Sequence, residues 1–169
     1  SHADELVKQA SSLGYSAIAI TDECSMAGIV KAHVAAKECG IKLIVGSEFH
    51  FEEASNEAVH LILLAPNRIA YGQICNLITK GRRNADKGEY HVSLNDIQYG
   101  IDQCLAIWLP SPGTRNPEET SLAIQLKSIF KQRLWLGIEI FPDGYELQRY
   151  KNAFAISQSQ AINMVAMGD

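Results

Sequence analysis

A chain of 169 residues with 47% hydrophobic content has the size of one domain and enough apolar material to build a core. Its net charge of -4 gives no broad basic field for holding nucleic acid by charge alone, and the densest basic cluster, Lys80, Arg82, Arg83 and Lys87, reads as a solvated loop. No apolar run approaches the ~20 residues that span a bilayer, and Cys24, Cys39, Cys75 and Cys104 form no CxxC pair and follow no signal-peptide pattern, as expected of reduced thiols in a cytoplasmic protein.

In chain order, Ser1 with Asp4 opens a first helix, and Ser16 to Thr21 reads as a strand. Ser25 opens a second helix running to Cys39, and the strands Lys42 to Phe49 and Val59 to Ala65 follow. Asn67 opens a third helix, and Ser93 with Asp96 a short fourth beyond the polar loop Gly81 to Tyr90. After the strand Leu105 to Leu109, Asn116-Pro117-Glu118-Glu119 opens a fifth helix, with proline at its first position and acids in its first turn. The strand Leu134 to Ile140, a last helix from Asp143 to about Gln160, and the strand Ile162 to Met167 complete the order. The strands are apolar throughout rather than alternating, as strands covered on both faces are. The alternation predicts parallel strands with right-handed crossovers, in a doubly wound sheet or a barrel. The chain opens at Ser1 without a methionine and closes at Asp169 directly after a strand, so both ends read as cut.

Ligands of parallel α/β folds bind beyond the carboxyl ends of the strands. Four strands deliver acids there: Asp22 and Glu23 after the first, Glu48 in VGSEF, Glu139 in LGIEI, and Asp169. Taken singly, each acid has a plain reading as a cap or a solvated group, worth about 0.3–1 kcal/mol at a helix N-terminus. Together they would repel one another, and a divalent cation answers that repulsion. His60 starts its strand, the wrong end for a parallel rim, and alone reads as structural; His33 and His50 read as ordinary helix and loop residues, and His2 and His91 as exposed. Mixed imidazole and carboxylate donors suit zinc, manganese or iron better than calcium. No GxGxxG, GxxxxGK[ST] or GxSxG motif is present, and Cys24 beside two acids should have a raised rather than lowered pKa.

The ordered series ELV..A..LGYSAIAITDE, AAKECGIKLIVGSEF, HLILLAPNRIAYGQICNLIT, LWLGIEI and VAMGD resembles the PHP (polymerase and histidinol phosphatase) domain of bacterial C-family DNA polymerases, the relatives of the DNA polymerase III alpha subunit. TDE followed by CSMAG, together with GRRNADKGEYHVSLNDI, is most similar to the error-prone DnaE-type branch. The resemblance implies a distorted (β/α)7 barrel, here incomplete at both ends, with residues 1–169 forming part of one PHP domain and the polymerase palm and fingers lying elsewhere. It also implies a metal cluster at one barrel mouth, with Glu23, Glu48, His60, Glu139 and Asp169 at ligand positions. The family's H-x-H pair should precede Ser1, and the histidine of its D-x-H motif should follow Asp169. Glu23 stands where the family's TDH carries histidine, an exchange of a neutral nitrogen donor for an anion that counts against hydrolytic activity.

The function so implied is nucleotidyl transfer in damage-tolerant DNA synthesis by the parent polymerase, which would use magnesium at a separate site. Its expected partners are DNA, deoxynucleoside triphosphates and a sliding clamp or damage-response proteins, with no membrane. This domain would brace the polymerase and hold metal as a structural element. Two other readings stay open: a metal-dependent phosphoesterase or 3'-5' exonuclease, and a non-catalytic interaction module. Within the TDE turn, Asp22 is expected to cap the following helix and Glu23 to face the metal.

Overall fold

A computed structural model describes residues 2–52, 58–111 and 117–168, with backbone alone at 117 and 118. Six strands form one sheet in the order β1-β2-β3-β4-β5-β6: β1 Ala17–Ile20, β2 Lys42–Phe51, β3 Val59–Ala65, β4 Leu105–Leu109, β5 Leu134–Glu139 and β6 Asn163–Met167. The helices are α1 Ala3–Ser12, α2 Ile29–Cys39, α3 Arg68–Arg83, α4 Pro117–Phe130 and α5 Glu146–Gln160. Among the described residues β1 and β6 are edges, so the curled sheet is an open part of a barrel.

Strand direction departs from the sequence reading. β1–β2, β4–β5 and β5–β6 are parallel, but β3 runs antiparallel to both neighbours, with His50 opposite His60 and His60 opposite Leu109. The reason lies in the connection. A parallel return needs a crossover of a dozen or more residues, and the segment 52–58 is too short to supply one. Reversal brings the start of β3 to the rim where the parallel strands end, so His60 sits at the mouth rather than at the far side.

The helix starts follow the sequence closely but not everywhere. Asn67 caps α3 by accepting the Ala70 N–H at 2.9 Å, and the Ser93–Asp96 capping box opens a short 3-10 helix over Leu94–Ile97. The second helix begins at Ile29, not Ser25, because the Ser25 hydroxyl accepts the Ala27 N–H within a turn that ends on Gly28. His2 caps α1, and α5 begins at Glu146, with Asp143 bonding the Tyr145 N–H just ahead of it. Ser1, Asn116 and Asp169 lie outside the described residues.

The principal core lies under one face of the sheet. Phe49 and Phe51 of β2 and Leu61 and Leu63 of β3 are fully buried against Ala70, Ile74 and Leu77 of α3, with Trp108, Leu126, Phe130 and Leu136 extending the cluster. A second cluster packs Val7 and Ala10 of α1 on Ala32, Ala35 and Ala36 of α2 beside Ile20. The opposite face of β2 carries Gly46, Glu48 and His50, alternate residues that the strand's period of two turns away from the phenylalanines. Both-face covering therefore holds only in part. No described helix is long and apolar enough to cross a membrane.

Candidate metal centre

Beyond Ile20 the chain continues alongside β2: Glu23 bridges Glu48 in parallel, the Glu48 N–H bonds the Asp22 carbonyl at 3.1 Å, and the Cys24 N–H bonds the Glu48 carbonyl at 2.8 Å. Ser47, fully buried, ties the turn by donating to the Asp22 carbonyl at 2.7 Å and accepting the Ser25 N–H at 3.1 Å. Cys24 then takes a left-handed φ of 42°, strained for a residue with a side chain, which bends the chain away from the sheet. Asp22 shapes this turn through its carbonyl. Its carboxylate lies against Gly28, 3.0 Å from where a Cβ would stand, without a capping hydrogen bond among the described residues.

Glu48, His50 and His60 converge at the mouth, their donor atoms all within 4.8 Å of one another. Glu48 Oε1 is 2.6 Å from His60 Nε2 and 3.3 Å from His50 Nε2, and the two imidazoles stack with centroids 4.3 Å apart. Despite this 2.6 Å approach, the buried Nε2 of His60 makes no hydrogen bond among the described residues. Buried polar atoms in that state call for an explanation such as an ion. Two ring nitrogens and a carboxylate at this spacing fit a divalent cation.

Glu23 stands beside the group, with Oε1 3.8 Å from His50 Nε2. Oε1 also accepts the Tyr90 hydroxyl at 2.7 Å, and that hydroxyl accepts the His50 N–H at 2.9 Å. Burial, then the bond to Glu23, pushes the Tyr90 phenol well above its usual range, so it stays a donor. Arg82 lies 5.5 Å from the Tyr90 ring centroid and donates to the carbonyls of Cys24, Gly88 and Glu89 at 3.0–3.1 Å. Lys80 pairs with Asp96 at 2.6 Å. Lys80, Arg82 and Arg83 thus belong to the last turn of α3 rather than to a loop, with Lys80 and Arg82 engaged by the protein itself. An open groove of about 430 Å³ borders Glu23, Arg82 and Tyr90. The Cys24 thiol is pushed up chiefly by burial, with Glu23 adding and Arg82 opposing, so it does not act as a thiolate.

Of the other residues singled out in the sequence, Glu139 ends β5 on the same rim but stands outside the group. Arg149 from α5 occupies its surroundings, donating to the carbonyls of Glu139 at 3.2 Å and Phe141 at 3.3 Å, and to both Asp143 carboxylate oxygens at 2.7 and 2.8 Å. His33 lies on α2 as expected. His50 is the residue the sequence reading missed. It lies on β2, not in a loop, and its signal was the two-residue spacing from Glu48 that puts both side chains on one face.

Curated relatives agree over nearly the whole chain. It is 46% identical over 166 residues to an error-prone DNA polymerase of Teredinibacter turnerae, covering 98% of this chain and 15% of the relative. It is 43% identical to the enzyme of the same name from Methylococcus capsulatus, covering 100% of this chain and 16% of the relative. The chain therefore spans about one sixth of the length of these relatives. Among solved structures, an inferred metal-dependent phosphoesterase from Bifidobacterium adolescentis superposes with a TM-score of 0.69 at 13% identity, covering 97% of this chain and 80% of the other. An amidohydrolase from Chromobacterium violaceum gives 0.69 at 14% identity, covering 99% and 81%. At such identities they share the fold. Residues 1–107 match the PHP domain, and the chain belongs to the PHP domain family.

Proposed function

We propose that the chain, residues 1–169 throughout, is part of the PHP domain of an error-prone DNA polymerase that adds deoxynucleoside monophosphates to a primer end during damage-tolerant DNA synthesis and repair. The observation that carries this is the 46% identity over 98% of the chain to a polymerase of that name. Polymerisation would use magnesium and carboxylates in a separate palm domain, with DNA and deoxynucleoside triphosphates as substrates, in the cytoplasm, with a sliding clamp or damage-response proteins as partners. The domain itself braces the polymerase. Glu48, His50 and His60 would hold zinc, manganese or iron with Glu23 beside them, while Glu139 would add only a weak carboxylate contribution and Asp169, outside the described residues, would be a further carboxylate of the set. Primer extension tests the reading: the full-length protein should extend a primed template with magnesium, while residues 1–169 alone should not. A full-length protein that extends nothing overturns it.

The buried Nε2 of His60, which faces Glu48 without making a hydrogen bond among the described residues, favours a second reading, a metal-dependent phosphoesterase or 3'-5' exonuclease. A bound divalent ion would there neutralise a phosphate ester and acidify a water. Glu48 and the two histidines would hold the ion, and the groove beside Tyr90 would admit the ester. Metal-dependent release of nucleotides from a mismatched primer end, lost in Glu48→Ala, would establish this reading. Silence with manganese and zinc would remove it.

A further inference from the structure

We infer that Tyr90 is a positioning residue for the metal centre: its hydroxyl holds Glu23 so that the carboxylate is presented to Glu48, His50 and His60. The inference rests on the metal-binding reading of that group. Glu23 has a half-exposed side chain with several freely rotating bonds, and an untethered carboxylate of that kind would spend most of its time turned to water. The Tyr90 hydroxyl removes that freedom by holding Oε1 at 2.7 Å, the same oxygen that stands 3.8 Å from His50 Nε2. The same hydroxyl accepts the main-chain N–H of His50, so one atom spans the turn after β1 and the strand carrying two of the three grouped donors.

Tyr90 is itself fixed. Its ring meets Phe49 edge-on at 6.4 Å, and Arg82 lies over it. Arg82 binds the carbonyls of Gly88 and Glu89 just before Tyr90 and the carbonyl of Cys24 just after Glu23. One guanidinium therefore anchors both ends of the Tyr90–Glu23 link. Hydrogen-bond partners that orient ligands in this way typically contribute 10- to 100-fold to metal affinity.

The test uses full-length protein titrated with Co2+, whose visible absorption reports ligand number and geometry; subtracting the His60→Ala spectrum isolates this centre. Tyr90→Phe keeps the ring on Phe49 and removes only the hydroxyl. It should weaken Co2+ binding about 10-fold and shift the absorption band as Glu23→Gln does, and the double variant should bind no more weakly than Glu23→Gln alone. An unchanged affinity and band in Tyr90→Phe, or losses that add in the double variant, overturns the positioning role while leaving the metal centre standing. Identical Co2+ binding by wild type and His60→Ala removes the centre and this inference with it.

Discussion

Gly-x-Glu occurs in two strands of this sheet, Gly46-Ser47-Glu48 within β2 and Gly137-Ile138-Glu139 at the end of β5, and the two copies meet opposite surroundings. Glu48 faces two imidazoles, His50 two residues along β2 and His60 from the adjacent β3, which runs antiparallel and delivers its first residues to the rim. Glu139 lies on a strand with parallel neighbours, and the guanidinium of Arg149 arrives from α5 to bind its main-chain carbonyl while pairing with the Asp143 carboxylate. The β5 rim is thus held by a fixed guanidinium, whereas the Glu48 carboxylate on β2 stands against nitrogen lone pairs that can share an added ion.

The largest expected effect separates the two carboxylates by metal binding. Glu48→Ala in the full-length protein should lower zinc or manganese affinity by at least about 100-fold, since losing a ligand costs no less than losing an outer-shell partner, while Glu139→Ala should cost less than about 10-fold, the low end of outer-shell changes. Isothermal titration measures both. Equal losses would mean that the β5 acid is as much a ligand as the β2 acid, and the contrast would collapse.

The glycines give the next contrast, in stability. A Cβ on Gly46 would stand 2.5 Å from the Leu63 carbonyl oxygen, a main-chain atom that cannot step aside without moving β3. On Gly137 the nearest atoms it would meet belong to side chains, of Leu109, Ile107 and Met167, at 2.7–2.9 Å. Overpacking of this kind costs about 1–3 kcal/mol, so Gly46→Ala should fall near about 3 kcal/mol and Gly137→Ala near about 1 kcal/mol or below in urea unfolding. A larger loss at Gly137 would show that the β4–β6 side is the tighter one.

How much of this the sequence discloses depends on the kind of signal. Strand existence came from continuous apolar runs such as VHLILLA, and helix starts came from side chains that bond their own backbone, as Asn67 does to Ala70. Direction is another matter, since an apolar run reads the same both ways. Only the shortness of the segment 52–58 marked the turn-back, and without it His60 looked misplaced. His50 is hidden by the strand's apparent end at Phe49; β2 runs on to Phe51 and puts His50 in period with Glu48. Glu23 and Glu48 were legible from the strand-end rule, whereas the hold of Tyr90 on Glu23 spans 67 positions and has no local trace. The seat of Arg149 depends on how α5 lies across β5, which no spacing encodes.

The smallest expected effect is a pH response confined to the β5 side. The Arg149 guanidinium, and after it the Tyr145 N–H, hold the Asp143 carboxyl down to about 2, against an ordinary value of ~3.9. A carboxylate with a depressed folded-state pKa binds its proton more readily in the unfolded chain. Its stabilising contribution is therefore complete above about pH 4 and lost as pH falls toward 2. Carboxyl-carbon NMR should follow Asp143 titrating near 2 in wild type and back near the ordinary ~4 in Arg149→Gln. The difference in urea-unfolding stability between the two proteins should shrink as pH falls from above about 4 and close once Asp143 is protonated in both. Among the described residues Glu48 is paired with imidazoles rather than with a lysine or arginine, so Arg149→Gln should leave metal affinity at His60 unchanged. A fall in that affinity would mean that the two Gly-x-Glu rims are electrostatically joined rather than separate.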